Sequence, residues 1–191
     1  MKTKILCLLG LAALVCSCVP SVNPFYTPAD VITDARLVGA WSEKGDGPAE
    51  WSFQATETNS YIVTIVDGKN GAAGEFDGHL FKLGQEKFLD ITPTEHSYLT
   101  SNQCSIVKCS LIPGHLVLRV SQFEPTLHLA FCDGDWVKTY LQDHPTEIAH
   151  SAGKESPVFT ADTADLQKFV LAHLGKGELF SDGMDLHRLP K

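Results

Sequence analysis

Residues 115–132 read HLVLRVSQFEPTLHLAFC, and their pattern decides the fold. Leu116, Leu118 and Val120 recur at every second position, as do Leu127, Leu129 and Phe131. Successive side chains of a strand point to opposite faces, so each triplet lines one face. The other face carries Val117, Arg119 and Ser121 against His128, Ala130 and Cys132. Pro125 interrupts the run, because a proline cannot donate to a ladder. The stretch therefore predicts an antiparallel hairpin with one apolar face.

The same alternation extends upstream. Trp51 and Phe53 share a face in "AEWSFQAT", and Tyr61, Val63 and Ile65 share one in "SYIVTIVD". Asp67-Gly68 and Asn70-Gly71 supply the positive φ that tight hairpin turns demand, so "AAGEFDGHLFKL" is expected to fold back on the preceding strand. "EKFLDITP" reads as the next strand, residues 93–103 as a polar loop, and "CSIVKCSLIPG" (104–114) as a further strand ended by Pro113-Gly114. Six to eight short strands at even spacing predict a mainly β fold, an antiparallel meander that is barrel-like or packed as a sandwich.

Two helices are expected near the C-terminus. "DGDWVKTYLQDHP" spaces Trp136, Val137, Tyr140 and Leu141 helically, and "TADTADLQKFVLAHLGKG" aligns Leu166, Phe169, Val170, His173 and Leu174. Asp162 is placed to cap the second helix and Gly175 to end it. The tail "MDLHRLP" alternates Met184 and Leu186 and is expected to add an edge strand.

The amino terminus carries different information. Lys2 and Lys4 precede a 12-residue apolar run, "ILCLLGLAALVC". A charged start and a short apolar core match an export signal, and the run is too short for the about 20 residues a membrane-spanning helix needs. Val15-Cys16-Ser17-Cys18 then resembles the lipobox of bacterial lipoproteins, with Val15 and Ser17 in the required places and Cys18 as the acylated residue. Cys16 does not fit, because Val15 would stand where a small residue is needed. The resemblance implies a signal peptide over 1–17, a lipidated Cys18 opening an extended tether over 18–30, and one β-rich domain with its helices over 31–191. Prolines at 20, 24 and 28 favour an extended tether, which docking of Phe25 and Tyr26 on the domain would shorten. Val19, rather than an aspartate, follows the anchor, which by resemblance to lipoprotein sorting implies an outer membrane, facing the periplasm or the cell surface.

Loss of residues 1–17 leaves 13 basic against 23 acidic residues and moves the formal charge from −8 to −10. Such a chain has no clustered cationic footprint for nucleic acid, and anionic lipid would repel it, so the acyl anchor must hold it to the membrane. Three further cysteines remain in the domain, Cys104, Cys109 and Cys132. Their spacing predicts no structural disulfide and at least one buried thiol acting as a small hydrophobe. A bond between a loop-borne Cys104 and Cys132 stays open.

"LVGAWSE" (37–43) carries a second resemblance. Gly39-Ala40-Trp41 is similar to the G-x-W that opens the first strand of the calycins, the superfamily of lipocalins and fatty-acid-binding proteins. The resemblance implies a tryptophan plugging one end of the barrel and an arginine from late in the chain stacked on it. Arg188 is the first candidate and Arg119 the second. Trp51, Phe53, Tyr61 and Phe76 are candidates to line a cavity, although filling a small barrel is the commoner role of such aromatics. The opening through "NPFYTPADVITDARLVGAW" is also similar to a group of bacterial lipoproteins whose activity is uncharacterised.

The residues offer no converging catalytic, cofactor or metal set. Cys132 and His128 share a strand face but stand about 13 Å apart, which leaves His115 as the imidazole to test against Cys132. The eight histidines are scattered without helical i, i+4 pairs. His173 sits on its helix's apolar stripe, and Asp133 and Asp135 suit a helix N-terminus better than a calcium loop. The glycines of "DGKNGAAGEFDG" lack the Gly-Lys-Ser/Thr of a phosphate loop, and no G-x-S-x-G elbow occurs. The expected function is a non-catalytic, lipid-anchored envelope protein that binds an apolar small molecule in its barrel. The alternative is a structural or assembly protein with a filled barrel and an envelope-protein partner.

Overall fold

A computed structural model describes residues 18–45, 48–66, 71–95, 97, 112–151, 157–176, 179–180 and 183–190. The expected signal peptide, Cys104, Cys109 and most of the strand expected over 104–114 lie outside the described residues.

The fold is mainly β. Strands β1 (Gly39–Ser42), β2 (Trp51–Ala55), β3 (Tyr61–Val66), β4 (Ala73–Leu83), β5 (Glu86–Pro93), β6 (Leu116–Gln122) and β7 (Thr126–Phe131) follow one another as an antiparallel meander. The chain then forms α1 (Gly134–Asp143), a small sheet of β8 (His150–Ser151) and β9 (Val158–Phe159), and α2 (Thr163–His173). It returns as β10 (Gly183–Arg188), which pairs with both β7 and β1 and completes a closed eight-stranded barrel. The tail is thus not an edge strand. Both of its neighbours need a ladder partner, and β10 satisfies the two open edges at once.

Register assigns the two faces. Trp41, Phe53, Tyr61, Val63, Leu80, Leu89, Ile91, Leu118, Val120, Leu127, Leu129 and Leu186 point inward and form one core. Gly78 also faces inward on the long β4, where a Cβ would stand 2.7 Å from Val63 Cγ2. A second core lies outside the wall, where Phe81, Phe88, Val117, Ala130 and Cys132 meet α1, α2 and β9. The helices start where expected: the Asp133 carboxylate accepts from Trp136 N at 2.9 Å, and that of Asp162 from Asp165 N at 3.0 Å.

The extended segment from Cys18 packs along the domain, with Phe25 and Tyr26 docked on it. Cys18 bridges to Asp133, Ser21 to His115 and to Phe159, and Val31 to Phe81. Val19 and Phe25 are buried in the outer core. Prolines do keep this segment extended. An extended chain has unused amides, however, and here they pair with the barrel and β9, while its apolar side chains fill the gap beneath α2.

Candidate functional site

The barrel has two unlike ends. At one, the chain turns at 34–38 before entering β1, with Leu37 N donating to Asp34 O at 3.1 Å. Trp41 is fully buried there and its indole Nε1 donates to Leu37 O at 3.0 Å. The Arg188 guanidinium carbon stands 4.1 Å from the Trp41 ring centroid. Arg188 Nη1 donates to Val38 O at 2.6 Å and Nη2 to Arg36 O. Arg119, the second candidate, pairs with Glu86 on the outer wall instead. Gly39 has φ 137°, and a Cβ there would come within 2.6 Å of Arg188 Nη1, so this position admits neither the backbone nor the bulk of another residue. Phe123 covers the same end beneath Arg36 and Lys87, whose cationic groups lie 4.9 and 5.0 Å from its ring. The Arg36 hydrogen bonds hold the Asp34 carboxyl below its ordinary range.

Tyr61 belongs to this closed end. Its hydroxyl accepts from Asp34 N at 2.8 Å, and burial raises its pKa. The structure separates it from Trp51 and Phe76, whereas Phe53 lies one inward step away, paired with Val63. Trp51 lies at the start of β2, paired with Trp41 and one inward step from Phe53, and Phe76 lies near the start of β4, both toward the opposite end. There they join Ile65, Leu116, Phe131 and Met184, inward-facing residues near the ends of their strands and half-buried. Trp51 stacks on Phe53 at 6.0 Å, and the Phe131 ring lies tilted against it at 6.2 Å. These side chains form an apolar collar at the barrel's mouth.

Between mouth and plug the interior is filled. Trp41, Val63, Leu80, Leu89, Leu118, Leu127, Leu129 and Leu186 have 0% accessible surface, and Phe53, Tyr61 and Ile91 have 1%. A void that admits water leaves accessible surface on the side chains lining it. Accessible apolar surface on the described inward side chains is therefore concentrated at the collar.

On the outer wall a polar group holds the N-terminal segment. Asp90, 1% accessible, accepts from Phe25 N at 2.9 Å through Oδ2 and lies 2.7 Å from His115 Nδ1 through Oδ1. Tyr26 stacks on His79 at 4.6 Å beside them. Burial, with Asp90 and Asp77 nearby, pushes the Tyr26 hydroxyl up to about 12, and burial lowers His79. His115 is thus committed to Asp90, and Cys132 N pairs with Val117 O rather than with residue 115. A register shift between Val120 and Gln122 displaces the simple hairpin pairing. Burial and the Asp133 charge raise the Cys132 thiol pKa strongly, which suppresses the nucleophilic thiolate. His173 is buried on α2 with Nδ1 2.8 Å from Phe169 O, as expected of a core histidine.

Sequence reasoning missed Asp90, although an acid at an outward position between Phe88 and Thr92 marks a buried polar clamp. It also missed Ile65, Leu116, Phe131 and Met184 as collar members, because alternation reports a face and not a height along the barrel. The fold and its two ends define a plugged up-and-down barrel with an apolar mouth. No protein family, curated protein or solved structure matches this chain.

Proposed function

We propose that this chain is a lipid-anchored, non-catalytic protein of a bacterial envelope that works by binding at the mouth of its barrel rather than by enclosing a molecule within it. The observation that carries the reading is the contrast between the interior, whose side chains are 0–3% accessible, and a collar in which Ile65, Phe76, Leu116, Phe131 and Met184 are half-buried around the buried Trp51. A pocket for a small molecule needs roughly 300 Å3 or more, and the filled interior favours surface docking over deep storage. The export-like leader and the Val15-Cys16-Ser17-Cys18 motif support acylation at Cys18. An outer-membrane location follows from Val19, and the partners are membrane lipid through the anchor and an envelope component at the mouth. The high Cys132 pKa and the commitment of His115 to Asp90 support the non-catalytic part.

Intact mass measurement of the protein extracted from its native membrane tests the anchor: the expected N-terminal peptide begins at Cys18 and carries acyl mass. Native mass spectrometry of the Cys18→Ser chain under gentle conditions tests the filled barrel. The expected result is no bound apolar molecule, and a retained one-to-one ligand would overturn it.

A further inference from the structure

We propose that the docked N-terminal segment aims the barrel's mouth at the lipid surface, so that the collar and its surrounding loops rest on the bilayer. The inference rests on acylation of Cys18. A free tether of a dozen residues would leave the domain about 17–21 Å of reach and every orientation open. This chain has no such slack. Cys18 bridges to Asp133, two residues beyond the collar residue Phe131, and Ser21 bridges to His115, next to the collar residue Leu116. At about 3.3 Å per residue, Asp133 lies only about 7 Å along the chain past Phe131. Val19 is buried immediately after the anchor, and Asp90 holds Phe25 N six residues further on. A lipid on Cys18 therefore enters the membrane at the rim of the mouth.

This rim suits a membrane. Ile112 is 73% accessible, and Gly114 packs so near Pro20 that a Cβ would meet it at 3.2 Å. An exposed isoleucine thus lies two residues from a glycine that packs on Pro20, and an apolar side chain at this rim fits the boundary between headgroups and acyl chains. Acids stand at both ends, Glu50, Glu95 and Asp133 near the mouth and Asp34, Glu57 and Glu124 near the closed end, so this acidic chain suits zwitterionic rather than anionic lipid.

Hydrogen exchange tests this on the acylated protein in phosphatidylcholine vesicles, with the unacylated Cys18→Ser chain as reference. Residues 48–50 and 71–72 are diagnostic, since they lead into the mouth-end starts of β2 and β4, on strands away from the anchor. Their exchange is expected to slow several-fold on vesicles while 56–60 and 123–125 at the closed end stay unchanged. Slowing at the closed end, or none at the mouth, overturns the proposal. Ten Gly/Ser residues inserted between Cys18 and Val19 should return the mouth to reference rates while the protein still sediments with vesicles. Persistent protection would show that the docked segment does not set the orientation. Acyl mass at Cys18 without mouth protection defeats this inference alone, and its absence defeats the anchor and the inference together.

Discussion

Replacing Arg188 by methionine removes the cation over Trp41 while keeping an apolar side chain across the indole. The cation–π contact contributes about 0.5–2 kcal/mol. The donations to Val38 O and Arg36 O contribute about 1 kcal/mol each, at the low end for charged donors because Arg188 is solvent-exposed. The expected loss is about 2–4 kcal/mol. With a urea m-value of about 2 kcal/mol/M, the midpoint should fall by about 1–2 M. Urea unfolding followed by far-ultraviolet dichroism reads this loss, and the native emission of Trp41 should shift as its plug loosens. A double-mutant cycle with Trp41→Leu, which removes the aromatic face, isolates the pair, whose coupling should be about 0.5–2 kcal/mol. A midpoint change below about 0.2 M, or additive single effects, would refute the view that this stack closes the barrel.

Gly39→Ala should cost about 1–3 kcal/mol, because φ 137° and the 2.6 Å approach of Arg188 both exclude a Cβ; urea unfolding measures it, and the cost should shrink in the Arg188→Met background. Asp90→Ala leaves Phe25 N without its acceptor and should cost about 1–3 kcal/mol. Limited proteolysis should then cut within 19–26, while Asp90→Asn, which keeps an acceptor, should be milder. Burial lowers the His79 pKa against the opposing pull of Asp90 and Asp77, with His115 adding to the lowering and Tyr26 stacked above it. The unfolded chain therefore binds more protons below about pH 6.5, and stability falls as pH drops through that value. His79→Phe, which keeps the stack, should flatten this fall between pH 7 and 5 in urea midpoints.

The barrel strands described here coincide with the alternating runs read from sequence, and α1 and α2 begin at the aspartates expected to cap them. These are local properties: period, turn chemistry and capping act within a few residues. Trp41 and Arg188 were both legible through the resemblance of "GAW", yet their 4.1 Å approach is a matter of barrel closure. Periodicity marked Trp51, Phe53, Tyr61 and Phe76 as one class of inward aromatics. Height along the barrel divides them, and height follows from strand stagger, which no single strand encodes.

The export-like leader, the Cys18 motif and the inward face of each strand are matters of residue order alone, since each depends on neighbours in the chain. Closure by β10, the docking of residues 18–31 and the meeting of Asp90 with Phe25 and His115 are decided only in the folded molecule. Each joins segments far apart in sequence, and their partners are chosen by which ladder edges and apolar gaps remain once the meander has formed. A proline-rich stretch that would serve as a spacer on its own becomes a brace, because the barrel offers its idle amides and apolar side chains somewhere to go.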